Sequence, residues 1–214
     1  MSSSKSGQEV QDPHLFELAH RAVTLWDLDV KTLEAIKIRE NAVFRVISRD
    51  GTRAVLRIHR LGYHSSAALR SEFEWMEALG RSGVIVPRPI LSAAGRVFEE
   101  VELPGAAGER QIDVLEWADG IQLGSVERGI SAEVGSVETA YRAIGELAAQ
   151  IHNQASDWRR PTTFVRHAWD LAGLCGESPF WGRFWELEAL STSQRILLEH
   201  VRARLRRVCL NFCV

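Results

Sequence analysis

The chain has 214 residues, and at the usual ~150 residues per domain that is room for one ordinary domain or two compact lobes. Hydrophobic residues make up 45% and charged ones 25%, which excludes disordered, collagenous and disulfide-scaffold chains. Lys+Arg 26 against Asp+Glu 28 leaves a net charge of -2, so no global field draws the chain onto nucleic acid or an anionic membrane, and neither is expected as a partner.

The opening residues contain no apolar stretch of the kind found in a leader, and no uncharged apolar run approaches the ~20 residues of a membrane span. Cys175, Cys209 and Cys213 are an odd set without framework spacing, which fits a reducing compartment. Together these predict a cytoplasmic protein with a disordered N-terminus over residues 1–13. No cysteine or histidine pair has convincing metal-ligand spacing.

Asp12-Pro13 opens a helix, with Asp as cap and Pro in the first turn, and Leu15, Leu18, Ala19, Ala22 and Trp26 follow at helical spacing. From Leu33 the period changes to two. Leu33–Arg39, Ala42–Ser48 and Arg53–His59 alternate apolar and polar, and Asp50-Gly51 marks the turn between the last two, so three consecutive antiparallel strands are expected. Ser65 then caps a helix to about Leu79 with Leu69, Phe73, Met76 and Leu79 on one face. Strand patterns resume at Ile90–Ser92, Arg96–Leu103 and Gln111–Trp117, divided by Gly and Pro turns. Beyond Asp119-Gly120 helix formers dominate: one long helix runs from Val137 to Asn153, and another begins at the capping box Ser191-x-x-Gln194. The expected organisation is a sheet lobe over 14–118 and a helical lobe over 119–214.

Strands, one inserted helix, more strands, a short connector and then helices is the order of the two lobes of a kinase-like phosphotransferase. Along that order stand Glu40–Val46, Ala54–Arg60, Ser71–Trp75, Val86-Pro-Arg-Pro89, Val114–Gly120 and Ile144–His152. Taken together they resemble the aminoglycoside phosphotransferase family, whose relatives include homoserine, choline and hydroxylysine kinases; the resemblance runs over roughly residues 14 to 205. It implies an α+β, protein-kinase-like fold: an antiparallel-sheet N-lobe with one inserted helix and an incomplete helical C-lobe.

The resemblance also implies roles. A cation on the third strand, held by a helix glutamate, grips nucleotide phosphates in such folds. Arg57 and Glu72 stand at those positions, with arginine where the family more commonly has lysine; an ordinary strand–helix ion pair fits the same pattern. Asn41, in a turn without glycine, matches the family's asparagine over the phosphates, and is equally a turn former. Val43 and Val55 would roof an adenine ring, and the backbone of Leu115, Glu116 and Trp117 would bond its edge; read alone, these side chains are core residues. Trp169, Asp170 and Trp181 fall where the family holds its acceptor substrate, though packing of helices explains aromatics there as readily. ATP is the expected cofactor, with magnesium expected for an intact family domain.

The family's transfer chemistry needs an Asp in a His-x-Asp loop, an Asn shortly after it, and a later Asp for magnesium. No histidine here is followed two residues later by aspartate, the last aspartate is Asp170, and Arg206 stands where Asn211 would require the catalytic Asp. The chain therefore reads as the front part of a phosphotransferase that stops before its catalytic loop, without catalytic or metal-binding residues. A non-catalytic nucleotide- or partner-binding module and a remnant without function are the alternatives. The sequence carries no signal for oligomeric state.

Overall fold

The computed structural model describes residues 13–102, 108–125, 129–131 and 135–212. Of the N-terminus expected to be disordered over residues 1–13, residues 1–12 lie outside that set, as do Cys213 and most of the Pro104–Gly108 turn, while Pro13 already opens a helix. Two compact units divide the chain between Phe164 and Val165.

In the first unit α1 (Pro13–Val23) precedes β1 (Val30–Ile38), β2 (Asn41–Ser48) and β3 (Arg53–His59), which pair antiparallel in sequence order. The β2–β3 turn closes because Gly51 takes φ +89° and the Asp50 carboxylate accepts from the Thr52 N–H at 2.9 Å. Next come α2 (Ser66–Arg81), β4 (Pro89–Ile90), β5 (Glu99–Val101) and β6 (Arg110–Glu116); β6 inserts beside β3, and β4 and β5 both pair with it. The order β1-β2-β3-β6-β4 puts two interior strands, β3 and β6, directly side by side.

Strand alternation assigns each face a helix. Phe44, Val46, Leu56, Ile58, Ile112 and Val114 point one way and bury against Leu18, Ala19, Ala22, Val23 and Trp26 of α1 and its end. The Trp26 indole donates to the Ile90 carbonyl at 2.7 Å, which ties that end to β4. Leu115 points the other way and packs with Leu69 and Phe73 of α2 and with Phe98. The Ser65 hydroxyl accepts from the Ala68 N–H at 3.1 Å and fixes where α2 starts.

The connector holds a short hairpin that sequence periodicity does not signal, β7 (Gly124–Ser125) with β8 (Gly129–Ile130). Then α3 (Val137–Asp157) runs on without a buried residue: Tyr141, Ile144 and Leu147 form an exposed apolar row.

The second unit contains α4 (Leu171–Cys175), a 3-10 turn at Phe184–Glu186 and α5 (Thr192–Phe212). Its centre is Trp185, buried, with the Arg202 guanidinium 3.9 Å from the ring centroid. Arg202 also donates to the carbonyls of Cys175 and Gly176 at 3.1 Å each and to Glu177 at 2.7 Å. The capping box forms as read: the Ser191 N–H donates to Gln194 at 2.9 Å. No described helix is long and apolar enough to cross a membrane.

Candidate nucleotide-side cluster on the sheet

Register gathers the candidate residues. Asn41 lies opposite His59, Val43 opposite Arg57, Arg57 opposite Asp113 and Val55 opposite Leu115. Directly paired residues share a face, so all seven point to the α2 side of the sheet. Val43, on the neighbouring β2, and Val55, two residues before Arg57 on β3, are half-buried there.

Arg57 lies at the centre of this face. Its Nε and Nη2 donate to the two oxygens of Asp113 at 2.8 and 2.9 Å, and Nη1 and Nη2 donate to Glu72 Oε1 at 3.2 Å each. Asp113 is fully buried and its Oδ2 lies 2.5 Å from Nε2 of buried His59. Burial pushes the Arg57 guanidinium down, but the charge and hydrogen bonds of Asp113, then of Glu72, outweigh it and hold it above the ordinary arginine value. The helix glutamate and strand cation expected from the sequence do pair.

The same bonds restrict what Arg57 can do. They occupy its Nε–H, both Nη2 protons and one Nη1 proton, leaving a single Nη1 proton for any further acceptor. Arg57, Asp113 and Glu72 carry formal charges that sum to +1 − 1 − 1 = −1. Asn41 Oδ1 and His59 Nδ1 are buried and without a hydrogen-bond partner among the described residues, so this face retains hydrogen-bonding capacity for a polar ligand.

Sequence reasoning missed Asp113 and His59. The signal for Asp113 was present: a carboxylate inside Ile112-Asp-Val-Leu115, where strand burial leaves it no solvent. Its cation, Arg57, stands directly opposite on the neighbouring strand β3, a pairing that only the register reveals.

At the sheet's other end the Glu116 N–H is engaged, donating to the Arg88 carbonyl at 2.8 Å. Trp117 follows the strand, with the Arg53 guanidinium 5.6 Å from its ring centroid while Arg53 bonds Asp119 at 2.7 Å. In the second unit Trp169 and Trp181 are exposed and meet edge-on at 6.0 Å, and Asp170 accepts from the Gly173 N–H at 2.8 Å as the cap of α4. A cavity of about 870 Å3 behind α2, walled by Phe73, Met76, Val84 and Val86, contains none of the expected site residues. Among the described residues no group of three or more His, Cys, Asp or Glu could hold a metal ion.

No sequence-family model matches the chain, and no curated protein does. Solved structures do. A microcompartment-associated aminopropanol kinase is 26% identical with a TM-score of 0.73, matching 92% of this chain and 58% of its own. An amicoumacin kinase, solved with AMP-PNP, Ca2+ and amicoumacin, is 20% identical with a TM-score of 0.67, matching 92% of this chain and 53% of its own. The chain thus spans somewhat more than half the length of these structures. The chain thus has the α+β, protein-kinase-like fold of these small-molecule kinases, and the likeness supports the resemblance to the aminoglycoside phosphotransferase family.

Proposed function

We propose that the chain is the nucleotide-binding part of a phosphotransferase that acts on a hydroxyl of a small molecule, and that the α2 face of the sheet receives ATP. The observation that carries this is the buried ion-pair cluster of Arg57 with Glu72 and Asp113, flanked on one face by Asn41, Val43 and Val55. In this reading the remaining Nη1 proton of Arg57 meets a phosphate oxygen, the Asn41 carboxamide covers the phosphates, and the two valines contact the base. The backbone of Leu115 and Trp117 and the Glu116 carbonyl bond the base edge, since the Glu116 N–H is already engaged. ATP supplies the γ-phosphoryl group when bound. The 26% identity to an aminopropanol kinase supports an amino alcohol as the acceptor class, with Trp169, Asp170 and Trp181 on the acceptor side.

The sequence brings no His-x-Asp and no later aspartate, so in this reading the chain by itself binds nucleotide without transferring phosphoryl. A coupled ADP-release assay over a panel of amino alcohols is expected to stay at background; robust turnover would contradict it. Nucleotide binding is tested by titrating a fluorescent ATP analogue. Arg57→Ala is expected to weaken it on the order of tenfold, about 1.4 kcal/mol. Arg57→Lys, which keeps the charge, is the comparator if the alanine variant unfolds. Affinity unchanged in both variants would remove Arg57 from this role.

A further inference from the structure

The opposite face of the sheet carries a second concentration of charge. A cavity of about 460 Å3 opens at the end of the sheet where β1 turns into β2, lined by Arg39, Arg60 and Arg110 with Glu40. Its floor is apolar: Leu15 of α1, Ile38, Ala42 and Ile58. Ala42 and Ile58 are direct cross-strand partners and belong to the α1 core, so this cavity lies on the side of the sheet away from Arg57.

Among the described residues none of these three arginines pairs with a carboxylate; Arg110 donates Nη1 to the His59 carbonyl at 3.2 Å, and its other donors are not spent there. Eight other arginines of the first unit do pair with carboxylates: Arg45 with Glu34, Arg49 with Asp29, Arg53 with Asp119, Arg57 with Glu72 and Asp113, Arg81 with Glu77, Arg88 with Glu116, Arg96 with Glu99 and Arg142 with Glu138. What distinguishes Arg39, Arg60 and Arg110 is that they converge on one concavity, whose lining carries +3 − 1 = +2. Converging like charges repel, and a cleft of one sign focuses its field and concentrates counter-ions. Guanidinium forks match tetrahedral oxyanions in geometry, each able to give two parallel N–H bonds.

We propose that this cavity is an anion site for a compact, multiply charged ligand of the phosphate class, held by Arg39, Arg60 and Arg110, with any carbon portion of the ligand against the apolar floor. The site has a structural lever on the face described above. Arg39 sits in the β1–β2 turn, and its N–H donates to the Asn41 carbonyl at 3.0 Å. An anion that fixes Arg39 also fixes the turn that carries Asn41; that consequence alone rests on the proposed nucleotide role of Asn41.

The test is calorimetric titration of the full chain with inorganic pyrophosphate. Saturable binding is expected, weakening as salt rises because Arg39 and Arg60 are exposed. Arg39→Ala with Arg60→Ala is expected to lower affinity at least on the order of tenfold. Both side chains are without described hydrogen bonds, so the fold should be retained; Arg110→Ala provides an independent variant. Arg142→Ala, which breaks only an exposed pair with Glu138, is expected to leave the affinity unchanged. No saturable binding, or binding lost in Arg57→Lys and kept in the Arg39/Arg60 variant, would overturn the proposal. The two readings separate cleanly: pyrophosphate binding that depends on Arg39 and Arg60 stands even if the ATP analogue fails to bind.

Discussion

Asp113 shows how much a single side chain can decide. It is fully buried, accepts two bonds from Arg57 and faces His59 at 2.5 Å. Removing one partner of a buried ion pair strands the other, which typically costs about 3–5 kcal/mol. Asp113→Ala should therefore lower the urea midpoint by an amount equivalent to about 3–5 kcal/mol, whereas Arg142→Ala, which breaks an exposed i,i+4 pair, should change stability by less than about 0.5 kcal/mol. Equal effects would contradict the cluster's central role. Glu99 gives a pH signature. Burial pushes its carboxyl up, but hydrogen bonds from Arg96 and Ser92 and the Arg96 charge outweigh this and hold it below its usual 4.5. A carboxyl lowered in the folded state adds stability above its unfolded value and loses it as pH falls through the folded one. Glu99→Gln should flatten the acid side of the stability profile below about pH 4.5, measured by denaturation at successive pH values; an unchanged profile would remove the effect.

Elements were legible where one period repeats and one face is buried. β3 is observed at Arg53–His59, the segment whose alternation marks it, and α2 buries Leu69, Phe73 and Leu79 as its spacing predicts. Short elements were not: Gly124–Ser125 and Gly129–Ile130 are two residues each, too few for any period to register. Arg202 of α5 is another case, since it sits at the heart of the second unit against Trp185. Nothing in helical spacing distinguishes it from its neighbours. Two element-scale outcomes follow from the packing. Ser65→Ala removes the acceptor of the Ala68 N–H and should cost about 1 kcal/mol by thermal or urea unfolding. Leu147→Gln lies on the exposed row of α3 and should shift stability by less than about 0.5 kcal/mol; a large loss would mean that α3 is covered.

At the scale of the molecule, the order of strands and helices carried the family likeness, and a TM-score of 0.73 over 92% of the chain accords with it. The site was half legible. Arg57 and Glu72 stand in a recognisable order along the sequence, but Asp113 becomes their partner only through the β3–β6 register, which links residues far apart in the chain. The reverse-face arginines are similarly scattered, at positions 39, 60 and 110, and only sheet topology brings them together. The two compact units have separate cores, one on the sheet and one at Trp185. Trp185→Ala, a loss of about 3–5 kcal/mol of packing, should raise hydrogen exchange across Thr192–Phe212 and leave β2, β3 and β6 protected; uniform loss of protection would contradict two units.

The most direct test of the central reading is hydrogen exchange of the full chain with and without saturating AMP-PNP. The account predicts added protection in Arg39–Phe44, in Ala54–His59 and in Leu115–Trp117, the segments that carry the α2 face and the expected base edge. Unchanged exchange in all three segments at saturation would contradict a nucleotide site on this face.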